Sequence, residues 1–87
     1  MFALVICRNP KTGQYLAVNE TKNRGWWIPG GAVDAGETFR TAAIRECIEE
    51  AAIQIDIKGV IKVEHFSSYN NIFKMRVIFY AEPKDFE

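Results

Sequence analysis

Eighty-seven residues suffice for one domain with a small core, since a chain of this size buries roughly 60–65% of the surface its unfolded form exposes. A hydrophobic fraction of 48% and a charged fraction of 25% exclude the composition of a disordered chain. Eleven basic residues balance eleven acidic ones, so there is no electrostatic footprint for long nucleic acid or an anionic membrane, and any phosphate recognition must be local.

The chain opens on an apolar run, residues 2–8, that reads as a buried strand. It has no basic leader and is too short for a signal peptide or membrane span, which makes a cytoplasmic location the default expectation; organelle targeting would be invisible if the chain has been trimmed. Asn9, Pro10, Lys11, Thr12 and Gly13 carry turn chemistry, and residues 15–18 form a short strand, predicting a hairpin with the first. A polar loop over residues 19–25 leads to Trp26, Trp27 and Ile28. Two consecutive tryptophans on a strand point to opposite sides, so one is expected in the core while the other is free, open to stacking on a base. Pro29, Gly30 and Gly31 then predict a loop with unusual backbone angles.

Residues 38–51 switch to a helical period. Thr38 can cap the helix, and Ala43, Ile44, Cys47, Ile48 and Ala51 gather on an apolar arc. Cys7 and Cys47 both sit in apolar surroundings without metal-ligand spacing, which predicts buried free thiols rather than a disulfide. Residues 55–66 and 72–80 are two β-rich runs joined by Ser67, Ser68, Tyr69, Asn70 and Asn71, a second hairpin. One helix covers one face of such a sheet, yet the runs at 2–6 and 76–80 are apolar almost without interruption, as in strands buried on both sides. A later helix, an oligomer or a partner is expected on the other face.

The chemistry concentrates in the helix. Glu46, Glu49 and Glu50 stand at i, i+3 and i+4, so their carboxylates share one arc, where like charges cost a few tenths of a kcal/mol per pair; the C-terminal end of the helix dipole disfavours them further. A divalent cation removes the objection, because Mg²⁺ prefers carboxylate oxygens and bridges phosphates, which suits substitution at phosphorus. Acidic helix faces are common, and the helix alone would read as a solvated surface. The glycine-punctuated segment before it, residues 29–37, is what points to a site, since a loop feeding into the acidic helix can place carbonyls and carboxylates around one point.

Gly31, Glu37 and the run Arg45, Glu46, Cys47, Ile48, Glu49, Glu50, Ala51, Ala52, Ile53 together resemble the signature box of the Nudix hydrolases, over 23 residues with every fixed acidic and basic position at the right spacing. The resemblance implies an α/β fold: a mixed β-sheet with the loop-helix unit on one face, followed in the family by a further strand and a second helix. It implies Glu46, Glu49 and Glu50 as metal ligands and catalytic groups, with the Gly30 carbonyl as a further contact. Glu46 or Glu49 would also orient or deprotonate water. Glu37 and Arg45 match a supporting ion pair, and Gly30 and Trp27 are candidates for contact with substrate. The activity implied is hydrolysis of the diphosphate bond of a nucleoside diphosphate linked to another moiety, with Mg²⁺ as cofactor and Mn²⁺ as a substitute, acting on a small molecule rather than long nucleic acid or membrane. The alternative is an inactive nucleotide-binding or protein-interaction module of the same fold.

Two positions depart from the signature. Ala52 replaces its last glycine, where a left-handed backbone would cost on the order of 1 kcal/mol, and Cys47 replaces an aliphatic residue. The expectation is one domain over residues 1–87, incomplete at its C-terminal end. His65, the sole histidine, lacks a partner at motif spacing and is assigned a structural or solvent-facing place.

Overall fold

The computed structural model describes residues 1–20, 25–67 and 73–85. Its central strand, β1 (Phe2–Cys7), is followed by β2 (Val18–Glu20), β3 (Gly25–Trp27), β4 (Gly30–Ala32), the helix α1 (Phe39–Ala51), β5 (Ile55–Ser67) and β6 (Phe73–Pro83). Four strands form a mixed sheet in the order β4-β1-β6-β5, and β2 and β3 pair separately. β1 runs parallel to β6, with Phe2 beside Arg76 and Cys7 beside Ala81, and antiparallel to β4. β5 and β6 form the expected antiparallel hairpin, with irregularities between Ile57 and Gly59 and between Val60 and Lys62; its connection at 68–72 lies outside the described residues.

Alternation along the strands decides which face is dry. Ala3, Val5 and Cys7 of β1 and Val77, Phe79 and Ala81 of β6 are buried in one core cluster with Ala42, Ala43 and Cys47 of α1, while Phe2, Leu4, Ile6, Ile78 and Tyr80 on the other face are only half-buried. The uninterrupted apolar runs thus have one buried side and one partly covered side. On α1 the stripe meeting the sheet is Ala42, Ala43 and Cys47, small side chains that let the helix approach closely. Ile44 is half-buried and Ile48 exposed, so the predicted arc is rotated toward Ala42. Burying a side chain such as Val5 or Ile55 contributes about 1.5–3 kcal/mol. The two thiols are buried and unbonded, as expected; desolvation pushes Cys7 upward and Cys47 up to about 12.

Three expectations are corrected. The first hairpin is shorter than expected: Arg8 and Tyr15 make an isolated antiparallel bridge, flanked by the Asn9 N–H on the Gln14 carbonyl and the Leu16 N–H on the Cys7 carbonyl, and the next strand begins only at Val18 and pairs with Trp27. One flank of β1 is taken by β6 along its length and the other by β4 at Phe2–Leu4, so the turn held by Asn9 Oδ1, which accepts the N–H groups of Lys11 and Thr12, returns the chain only to the end of the strand. Secondly, residues 30–32 are a short edge strand rather than a loop, because a side chain on Gly30 would collide with the Ala3 carbonyl and Leu4, and its absence lets the backbone pair with β1. Thirdly, neither indole enters the core: Trp26 is 70% exposed and Trp27 55%. Among the described residues no helix is long and apolar enough to cross a membrane.

Candidate active site

The site is built where β4 meets α1. Thr38 caps the helix reciprocally with Thr41: the Thr41 N–H donates to Thr38 Oγ1 (3.1 Å) and the Thr38 N–H donates to Thr41 Oγ1 (2.9 Å). This fixes where the helix starts and hence which residues face β4. The stripe of Ala42, Ala43 and Cys47 includes position 46, so helix geometry drives the Glu46 side chain toward the seam between helix and sheet, leaving it 14% exposed. Gly31 is what it meets there. A Cβ at Gly31 would lie 2.6 Å from Glu46 Oε1, so the carboxylate occupies space that only glycine leaves open. Burial pushes the Glu46 carboxyl above its ordinary pKa, and its bond to Arg45 opposes the shift.

Arg45 is the hub. Its Nε and Nη2 donate in a fork to Glu37 (2.7 and 2.9 Å), and Nη2 also donates to the Ala32 carbonyl (3.0 Å) and pairs with Asp34 at 3.4 Å. Nη1 donates to Glu46 (2.9 Å) and Glu49 (3.2 Å). One guanidinium therefore ties the loop, the edge strand and two helix carboxylates together, and its bidentate pairing is the strong kind. The hydrogen bond from Arg45, with a second from the Asp34 N–H, holds the Glu37 carboxyl below the ordinary glutamate range. Glu50 accepts the Gly30 N–H at 2.8 Å, a second tie between helix and loop. At the far end Ala52 takes a left-handed backbone, φ 55°, and its N–H closes onto the Cys47 and Ile48 carbonyls.

The structure brings Glu37, Arg45, Glu46, Glu49, Glu50, Gly30 and Gly31 to one junction. Trp27 lies on the other face of the sheet from α1, in an open cleft with Phe2, Leu4, Lys74 and Arg76. Those four partners were not foreseen: they come from strands distant in sequence, and no local spacing marks them. Asp34, beside Arg45, was also missed as an ion-pair partner. His65 is exposed on β5.

Chemically, the donor set is three carboxylates. Among the described residues no three acidic, histidine or cysteine side chains converge on a single point. Glu46 and Glu49 both reach one charged nitrogen, Arg45 Nη1, and carboxylate oxygens are the donors that hard divalent cations take.

Comparison with known proteins gives the same direction. A family model described as "NUDIX domain" matches residues 2–86. A Nudix hydrolase of Bacillus subtilis is 39% identical over 54 residues, covering 58% of this chain and 34% of that protein. The RNA pyrophosphohydrolase of Erythrobacter litoralis is 44% identical over 43 residues, covering 48% of this chain and 26% of that protein. The chain thus spans about a third or less of these curated relatives. Among solved structures, the Ap4A hydrolase of Caenorhabditis elegans is similar with a TM-score of 0.71 and 25% identity, over 99% of this chain and 71% of that one. A Nudix hydrolase from M. smegmatis superposes with a TM-score of 0.78 at 21% identity, over 97% of this chain and 61% of that one, a likeness of fold.

Proposed function

The chain belongs to the Nudix family, and on that premise we propose that it hydrolyses the diphosphate (pyrophosphate) bond of a nucleoside diphosphate linked to another moiety, with Mg²⁺ as cofactor and Mn²⁺ as its substitute. The observation that carries this reading is the docking of the Gly30-Gly31 strand onto the acidic face of α1 through two independent ties, Gly30 N–H to Glu50 and the Arg45 fork to Glu37 and Ala32. A solvated acidic surface has no use for a glycine edge packed against its carboxylates. The RNA pyrophosphohydrolase and Ap4A hydrolase among its relatives, which the names place on phosphoanhydride substrates, support the same class.

In this proposal Glu46, Glu49 and Glu50 would hold the metal, with the Gly30 carbonyl beside them. A bound divalent ion supplies charge neutralisation at the phosphate oxygens and activation of water. The protein's own groups do the rest. Arg45 and Glu37 keep loop and helix in register, Gly31 leaves the space in which the Glu46 carboxylate sits, and Glu46 or Glu49 orients the attacking water. Residues 1–87 belong to one such domain, the substrate is a small molecule, and the location is cytoplasmic.

The test is a phosphate- and nucleotide-release assay over nucleotide sugars, dinucleoside polyphosphates, ADP-ribose and oxidised nucleotides. Metal-dependent turnover is expected, with Glu49→Gln lowering it by at least about a hundredfold. Glu49 is 58% exposed on its side chain, so the same substitution should change stability by no more than about 0.5 kcal/mol. Equal turnover by Glu49→Gln sinks the proposal.

A further inference from the structure

β5 is the outer strand of the four-stranded sheet, and among the described residues no strand pairs with its free side. It is a long edge, Ile55–Ser67, on which Val60, Ile61 and Val63 are each about half-exposed. A strand with unpaired N–H and C=O groups and exposed apolar side chains is a template for another strand. Lys58 and Lys62, together with the irregularities between Ile57 and Gly59 and between Val60 and Lys62, discourage an arbitrary partner. The occupant of this edge must therefore answer its charges.

The charges of β5 answer each other. Register against β6 sets the faces: Asp56 and Lys62 stand beside Glu82 and Ile78, on the face opposite α1, while Ile55 and Val63 stand beside Pro83 and Val77, on the helix side. Two copies of β5 laid antiparallel about a two-fold axis through Gly59 bring Asp56 opposite Lys62 and Ile55 opposite Val63, each pair on one face and each occurring twice. Moving the axis to Val60 sets Asp56 against Glu64 and Lys58 against Lys62, and parallel in-register pairing sets every charge on its own copy. Asp56 and Lys62 have side chains 50% and 63% exposed, and their contacts within the strand, Asp56 with Lys58 at 3.0 Å and Lys62 with Glu64 at 3.5 Å, leave further acceptor and donor positions. Gly59 has no left-handed backbone angle, and a Cβ there would meet nothing within 4 Å among the described residues, so no contact within the chain calls for a glycine. Close approach of a second backbone does.

We infer that β5 is the interface for a second copy of this chain, joined edge to edge in an antiparallel pair centred on Gly59, with two Asp56–Lys62 pairs fixing the register. The two four-stranded sheets become one of eight strands. β4, which carries the Gly30-Gly31 side of the acidic junction, lies at the far edge of each sheet, so both junctions stay open. An edge contact of this kind is small, and the dimer is correspondingly weak.

The experiment is sedimentation equilibrium of the whole chain at low salt, from about 1 to about 200 µM, a range in which the wild type is expected to pass from monomer to dimer. Lys62→Glu and Asp56→Lys should each weaken the dimer at least about tenfold, because each sets like charges opposite one another twice, and the double variant should return it to within about threefold of wild type. Circular dichroism should show both single variants folded, since each changes an exposed side chain. Gly59→Cys, on the axis, should link two chains under a mild oxidant, whereas His65→Cys, about 40 Å from its own copy, should not. A monomer at about 200 µM, a dimer indifferent to both charge reversals, no recovery in the double variant, or linkage through position 65 as readily as through position 59 overturns the inference. So does assembly beyond a dimer, which a closed two-fold contact does not allow.

Discussion

Glu46 occupies a position that helix geometry assigns to the core-facing stripe, between Ala42 and Cys47, and a carboxylate there is tolerable only because Arg45 donates to it and Gly31 leaves it room. Gly31→Ala places a methyl group where the carboxylate is, and the flexible end of Glu46 is the part able to move. Turnover should therefore fall about a hundredfold from a displacement of order 1 Å, while the melting temperature changes by only a few degrees. Glu64 makes a different kind of contribution. The Arg76 hydrogen bond holds its carboxyl below the ordinary glutamate range. A depressed carboxylate stabilises the fold above its unfolded pKa, about 4.3, and that stability is lost as pH falls through the folded value. Melting temperature should drop between roughly pH 5 and pH 3, and the drop should be shallower in Glu64→Gln, measured by circular dichroism across that window.

Within α1 the charges run against the dipole: Arg40 stands in the first turn and Glu49 and Glu50 in the last, each disfavoured by about 0.3–1 kcal/mol at low salt. The capping box at Thr38 and the small-residue seam against the sheet offset this, so the helix owes its place to packing rather than to its own electrostatics. Its C-terminal end carries a further cost, because Ala52 adopts φ 55°. Ala52→Gly removes the clash of the β-carbon, worth about 1–2 kcal/mol, at an expense of about 0.5–1 kcal/mol in chain entropy. A net gain of about 0.5–1 kcal/mol is expected, visible as a rise of several degrees in melting temperature, with no change in the carboxylates one turn away.

The molecule is elongated, 47 × 30 × 21 Å, and the reason is a mismatch of element lengths. Thirteen residues of β5 reach about 44 Å when extended, whereas thirteen of α1 reach about 20 Å. The helix packs on β1 and β4, with a lesser contact to β5, and the β5–β6 hairpin leaves Val60, Ile61 and Val63 exposed. Stability should follow that division. Val5→Ala, at a fully buried position, should cost about 2 kcal/mol in a denaturant titration. Val63→Thr, at a position 48% exposed, should stay within about 0.5 kcal/mol.

The helix, its cap at Thr38, the left-handed turn at Ala52, the second hairpin and the residues of the acidic junction other than Asp34 were legible in the chain, the helix from a period of 3.6 with a threonine before it and the junction from glycines and charges at fixed spacing over 23 residues. Strand partnership was not. The sequence suggested that β1 would pair with the segment that follows it, and only the tertiary structure decided that β1 takes β6 in parallel and β4 in antiparallel, leaving Tyr15 and Leu16 to touch only its end, at Arg8 and Cys7. Pairing is a competition among segments far apart in the chain, and no local pattern ranks the competitors. The same competition put Trp27 beside Lys74 and Arg76, residues 47 and 49 positions later, so the acidic site could be read along one helix while the cleft behind it exists only once the sheet has formed.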